Sequence, residues 1–161
     1  MIPTPDQQVS LNAPVAPPLA HRFGVFFFQN GGLPNPLDIR FQKVSGIGAR
    51  IETTTVVEGG QNHYAQRLPT RVDYANLVLE RGLVIGSPLG LEVNRTLSFF
   101  SFAPSLVLVV LFDESSRPIA GWGFENAYPV RWALADLNGA EDRILIDTLE
   151  LAYTRMYALE V

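Results

Sequence analysis

Ala49-Arg50-Ile51-Glu52-Thr53-Thr54-Thr55-Val56-Val57 decides the fold class. Six of these nine residues branch at Cβ, which suits a pleated strand and crowds a helix. Successive side chains of a strand point to opposite faces. Arg50, Glu52 and Thr54 therefore share one face, and Ile51, Thr53 and Thr55 the other. The same period of two continues outward in both directions. Upstream, Phe23, Val25 and Phe27 share a face, and Leu37, Ile39 and Phe41 oppose Asp38, Arg40 and Gln42, which predicts a second half-buried strand. Downstream, Asp73 to Glu80 sets Ala75, Leu77 and Leu79 against Tyr74, Asn76 and Glu80. Leu106 to Phe112, Ile119 to Asn126 and Tyr128 to Leu137 follow, the last with Val130, Trp132 and Leu134 on one face. Turn clusters separate these runs at Asn30 to Pro36, at Glu58-Gly59-Gly60-Gln61-Asn62, at Arg81-Gly82 and at Asp113 to Arg117.

A single helix interrupts the strands. Ser87 suits its N-cap and Pro88 its first position, where a missing N–H costs nothing. Leu89, Val93, Leu97 and Phe100 then recur at helical spacing, which predicts one apolar stripe. Residues 140 to 156 fit both periods, with the helical one slightly ahead. Residues 1–20 hold five of the twelve prolines and one charge, Asp6, and read as an extended or disordered arm before a single domain at 21–161.

Composition narrows the function. Hydrophobic residues make up 47% of the 161 and charged ones 17%, where about 25% is usual for a soluble domain. Much of the surface is therefore expected to be covered. The longest apolar run, Leu106 to Phe112, is far short of the ~20 residues that span a bilayer, so no membrane insertion is expected. The first twenty residues lack a basic start and a continuous apolar stretch, so synthesis in the cytoplasm is expected. A net charge of −4 with one lysine, Lys43, argues against sequence-specific nucleic-acid binding. Without cysteine there is no disulfide framework or thiolate metal site.

No chemistry is written in the motifs. His21 and His63 lack metal-ligand spacing, and no nucleophile elbow or phosphate loop is present. Gly46-Ile47-Gly48 lacks a third glycine and leads into a strand rather than a helix. The carboxylates of Asp113-Glu114 and Glu141-Asp142 sit beside turns, as solvated loops do. Trp122 and Trp132 are expected in the core. The expectation is a structural protein with no catalytic residue, no cofactor and no metal.

Five segments then follow one another in order: Phe41-Gln42-Lys43-Val44-Ser45-Gly46-Ile47, Val57-Glu58-Gly59-Gly60-Gln61-Asn62, Leu77-Val78-Leu79-Glu80-Arg81-Gly82, Glu125-Asn126-Ala127-Tyr128-Pro129-Val130-Arg131-Trp132 and Asp147-Thr148-Leu149-Glu150-Leu151-Ala152. In order and spacing this series resembles the tail tube protein family of contractile phages and phage-derived contractile injection systems, over residues 21 to 157. The resemblance implies a compact antiparallel β-barrel or sandwich with one short α-helix. It also implies homohexameric rings stacked into a hollow inner tube that conducts protein or DNA cargo when a sheath contracts. The segment from about Arg143 to Tyr153 then becomes a strand. Partners implied are the subunit itself, a sheath protein, a baseplate hub or initiator, a tube terminator and the passing cargo.

Within that picture the mixed-charge face of Arg50, Glu52 and Thr54 is the candidate channel lining. Glu58, Gly59, Gly60, Gln61 and Asn62 form a candidate ring or stack contact. Arg81, Gly82, Asn126, Tyr128, Pro129 and Trp132 are candidate structural anchors. Two other roles fit the residues: a baseplate-proximal initiator or adaptor ring, and, from another class, a small β-barrel ligand-binding module.

Overall fold

The computed structural model describes residues 19, 22–29, 31–60 and 62–159, so the proline-rich arm lies outside the described residues except for Leu19. Two long antiparallel strands carry the architecture. β7 (Pro118–Leu134) runs for 17 residues, and β8 (Ile146–Ala152) followed by β9 (Arg155–Leu159) returns beside it. Pairing passes from Tyr128↔Ala152 to Glu125↔Arg155, so β8 and β9 act as one strand interrupted at Tyr153-Thr154. Facing that interruption, Asn126 adopts φ 54°, a left-handed conformation that asparagine tolerates better than most side chains. The register against β6 (Ser105–Phe112) shifts at the same level, from Ser105↔Ala127 to Val107↔Phe124. The extra residue on β7 is a β-bulge, which bends a strand and increases its twist.

The bend divides the sheet. Before it, β7 pairs with β6 and β9, and β6 carries β1 (Phe23–Phe28). Beyond it, β7 pairs with β8, which carries β5 (Leu77–Gly82) and then β2 (Lys43–Ser45). The order is β1-β6-β7-β8-β5-β2 with β9 alongside β7, and every pairing is antiparallel. The Val25 N–H donates to Ile39 O at 3.1 Å and the Gln42 N–H to Glu80 O at 2.8 Å. Residues 39–45 thus bridge β1 to β5 and curl the sheet towards closure, the mainly β barrel or sandwich that the resemblance implies.

Inward faces of the two halves meet in one core. Val25, Phe27, Val107, Val109 and Phe124 from the first half pack with Leu77, Leu79, Leu149 and Leu151 from the second. Helix α1 (Pro88–Phe99) adds Leu89 and Val93. Its N-cap is Ser87, whose Oγ accepts from the Gly90 N–H at 3.0 Å. The 3–4 spacing is only half used: Leu89, Val93 and Thr96 are buried, whereas Leu97 and Phe100 are exposed. The end of the expected stripe therefore lies off the core, and Phe100 packs instead edge-on against Phe102.

Three further expectations are corrected. Leu37 to Gln42 is not a strand: Pro36–Asp38 is a 3-10 turn capped by Asn35, and burial is inverted, with Leu37 57% exposed and Asp38 3%. Asp38 is drawn inward by a cation, described below. Asp73 to Glu80 is not continuous either, because β4 (Gln66–Tyr74) ends and β5 begins at Leu77. Gly46 explains that corner: at φ 82° a Cβ there would collide with the Asn76 carbonyl oxygen. Gly46→Ala is expected to cost at least about 2–3 kcal/mol from backbone strain and clash, read as a fall in the urea midpoint. Finally, residues 146–152 form β8, a strand as the resemblance implies and against the helical period of 140–156.

Candidate functional site

β3 (Ala49–Val56) pairs with β4 alone, as a two-stranded ribbon separate from the main sheet. A register shift between Ile51↔Val72 and Thr53↔Pro69 places an extra residue on β4. Arg50, Glu52 and Thr54 share one face, as the alternation predicts. Arg50 is paired with Asp73 at 3.3 Å and Glu52 with Arg71 at 2.6 Å, so charges of opposite sign alternate along and across the strands. The Glu52 carboxylate, by hydrogen bond and by charge, holds the Arg71 guanidinium more firmly protonated than usual. The opposite face carries an apolar pair, Ile51 at 60% exposed and Val72, directly across from it, at 48%; further along it Arg67 donates to Thr53 Oγ1 at 3.0 Å. Glu58, Gly59, Gly60 and Asn62 lie exposed at the ribbon's tip, and Gly60 turns the chain at φ 94°. Gln61 lies outside the described residues.

The first half of the main sheet is apolar on both sides. Its inward face is core. On its outward face Phe26, Leu106, Leu108, Val110, Phe112, Tyr157 and Leu159 are half-buried against one another. Gly121 and Gly123 make room for them, because a Cβ at either would strike Leu159 or Tyr157. An antiparallel sheet that meets water on one face normally alternates apolar with polar residues. This one does not.

Of the candidate anchors, Arg81 and Trp132 are brought together through Asp147, and Asn126, Tyr128 and Pro129 are not part of that group. The Arg81 side chain is 4% exposed, and three of its nitrogens have separate partners. Nη1 donates to Asp38 Oδ1 at 2.7 Å, Nε to Asp147 Oδ2 at 3.3 Å, and Nη2 to Ser87 Oγ at 2.8 Å. The guanidinium also lies 5.4 Å from the centre of the Phe41 ring. Asp38 Oδ2 accepts the Leu89 N–H at 3.0 Å, a free donor of the first helical turn, and Trp132 Nε1 donates to Asp147 Oδ1 at 2.5 Å. One cation therefore ties the 3-10 turn, β5, the helix N-terminus, β7 and β8 together. Trp132 is not the core residue expected: it is 41% exposed, at the edge of the sheet, with its N–H bonded to Asp147. Trp122 is half-buried against the core, as expected.

Asp38 and Asp147 were not among the candidates, although one signal was present. Asp147 shares parity with Leu149 and Leu151, and Arg81 with Leu77 and Leu79, so opposite charges stand on the inward faces of two strands that pair Arg81↔Asp147. Gly82 follows on the outward face of β5. Asn126 makes the bend, Tyr128 stacks edge-on against Phe102, and Pro129 is buried.

Tyr153, at the break opposite Asn126, packs between Tyr74 and Phe124. Among the described residues its hydroxyl is buried without a hydrogen-bond partner, and burial raises its pKa. Tyr153→Phe is expected to stabilise the fold by about 1 kcal/mol, visible as a rise in Tm.

The space beside Arg81, lined by Phe41, Leu89, Val93, Trp132 and Leu149, is about 10 Å³, room for no ligand larger than a water. Among the described residues no His, Asp and Glu side chains gather in a group of three or more that could hold a metal, and no helix is long and apolar enough to cross a membrane.

The comparisons agree with one another. A chain in the cryo-EM structure of the anti-feeding prophage (AFP) baseplate, 6-fold symmetrised, is 40% identical over 90% of this chain and 97% of that one, with a TM-score of 0.82. A chain of an extracellular contractile injection system, the PVC sheath-tube complex in its extended state, shares the fold at 19% identity and a TM-score of 0.76, over 91% and 93% of the two chains. So does a chain of the AFP tube-terminating cap, at 17% identity and a TM-score of 0.79, over 97% and 99%. No curated protein matches. The family model of the T4-like virus tail tube protein gp19 covers residues 19–157. By that match across most of its length and by its 40% identical relative, this chain belongs to the T4-like tail tube protein family.

Proposed function

We propose that the chain is a structural subunit of the inner tube of a contractile injection system or phage tail, forming homohexameric rings that stack into a hollow conduit for protein or DNA cargo. The observation that carries this reading is the sheet apolar on both faces, together with a ribbon whose Ile51–Val72 face meets solvent. Covering such faces by neighbouring copies removes the exposed apolar surface that a monomer this size rarely carries. Head-to-tail contacts that do not close on themselves extend as a filament, and those that close by rotation give rings. In this reading the Ile51–Val72 face of the ribbon lies on a neighbouring subunit, and the Arg50, Glu52, Thr54 face turns to the water-filled channel. The ribbon tip, Glu58 to Asn62, reaches the next subunit or ring. Sheath, baseplate hub and terminator are the outer and end partners. The chain works by assembly and carries out no reaction.

A second reading is the baseplate-proximal initiator or adaptor ring of the same machine. It is favoured by identity: 40% to a chain of the AFP baseplate structure against 19% to one of the PVC sheath-tube complex. Copy number per purified particle separates the two. Tens to hundreds of copies support the tube wall, and about six support the initiator ring. A strictly monomeric chain at high concentration, absent from any particle, would refute both.

A further inference from the structure

The loop between β7 and β8, residues 135–145, holds two neighbours whose chemistry the assembly reading does not use, Asn138 and Gly139. Both are exposed, and they line an open concavity of about 870 Å³ that admits water. Asn138 Oδ1 accepts the Ala140 N–H at 3.1 Å, and Asn138 O accepts the Glu141 N–H at 3.3 Å. Between these two bonds the Gly139 N–H has no acceptor among the described residues.

That arrangement sets up a reaction within the chain. The ring closed by the Oδ1 bond contains both atoms that would join, Asn138 Cγ and Gly139 N, so the carboxamide is curled back on the following peptide. The Ala140 N–H is aimed at the oxygen on which negative charge develops when Cγ is attacked. An unbonded Gly139 N–H is open to hydroxide, and glycine places no Cβ beside the attacking nitrogen.

We propose that Asn138 is a self-modification site, at which the Gly139 nitrogen displaces ammonia from the Asn138 carboxamide. The Gly139 N–H proton leaves to hydroxide, the N–Cγ bond forms, and the Cγ–Nδ2 bond breaks as ammonia departs with a proton from water. Water then opens the cyclic imide at either carbonyl, which gives aspartate or isoaspartate. One water is consumed and one ammonia released, with no oxidation or reduction. The loop already carries Asp136, Glu141 and Asp142 against Arg143 alone, whose guanidinium is held by Glu141 at 2.7 Å, so the new carboxylate meets no free cation within the loop. Isoaspartate also lengthens the main chain by a methylene and breaks the turn between Asn138 and Glu141. None of this depends on assembly.

The test incubates the full chain, folded, at neutral and at mildly alkaline pH, and reads its tryptic peptides by mass. The Asn138 peptide is expected to gain about 1 Da at a rate that rises with pH. Asn94, followed by Arg95 within α1, should stay unchanged, and the other Asn-Gly pair, Asn30-Gly31, falls on a separate peptide. Gly139→Ala should fold as before, because a Cβ there meets nothing within 4 Å. Its gain at Asn138 should be at least tenfold slower, since the methyl group hinders the nitrogen. No gain at Asn138, or an equal gain in Gly139→Ala, overturns the proposal. A rate in the folded chain tenfold below that in urea also overturns it, because the fold would then protect the site rather than present it.

Discussion

Replacing Arg81 with methionine is expected to lower stability by about 3–5 kcal/mol, because it leaves the buried carboxylates of Asp38 and Asp147 without their shared cation. At two to four degrees per kcal/mol for a domain of this size, Tm should fall by roughly 6–20 °C. Lysine should not rescue. Arg81 presents separate nitrogens to Asp38, Asp147 and Ser87, and a single ammonium cannot reach all three from one point. Adding Asp38→Asn and Asp147→Asn to Arg81→Met should recover part of the loss, since the residual cost is that of unpaired charge rather than lost packing. Urea denaturation of these three variants measures this. A loss under about 1 kcal/mol in Arg81→Met would mean that the network fixes geometry without contributing stability.

Placing glutamates on the Ile51–Val72 face of the ribbon, Ile51→Glu with Val72→Glu, is expected to leave a folded subunit that no longer forms rings. The two positions pair directly across the ribbon and are half or more exposed in the single chain, so charge there costs the monomer little. Buried against a neighbour, two adjacent carboxylates would oppose association by several kcal/mol, at least a hundredfold in the assembly constant. Arg50→Glu on the opposite face is the matched control. It breaks an exposed pair with Asp73, worth about 0–1 kcal/mol, and should leave rings intact. Light scattering and negative-stain microscopy report assembly, and circular dichroism reports folding. Rings from the Ile51, Val72 variant would show that this face is free in the assembly.

Much of this was legible in the residues. The alternation of Val25 and Phe27, of Leu77 and Leu79, and of Leu149 and Leu151 marks inward faces directly, because strand geometry forces it. Ser87-Pro88 marks the helix start. Less legible was Leu37 to Gln42, where the pattern was right for a strand and the structure inverted it. A single buried guanidinium changes which side of the chain must face inward, and that cation comes from β5, more than forty residues away. Trp132 misled for a related reason. Its parity is inward, yet β6 ends before reaching it, so it stands at an edge that sequence does not reveal.

The ribbon shows the same division. Its strands and the shared face of Arg50, Glu52 and Thr54 follow from periodicity, but its separation from the main sheet does not. By itself the sequence determined the β class, the helix, and a surplus of apolar over charged residues that no lone 161-residue subunit should show. Those are properties of local pattern and total composition. Only the tertiary structure decided where the surplus sits, on the outer face of β1, β6, β7 and β9 and on the Ile51 side of the ribbon. It also showed that Arg81 holds five segments at one point. Both depend on contacts between residues far apart in the chain, and a period of two carries no information about which distant strand will lie alongside.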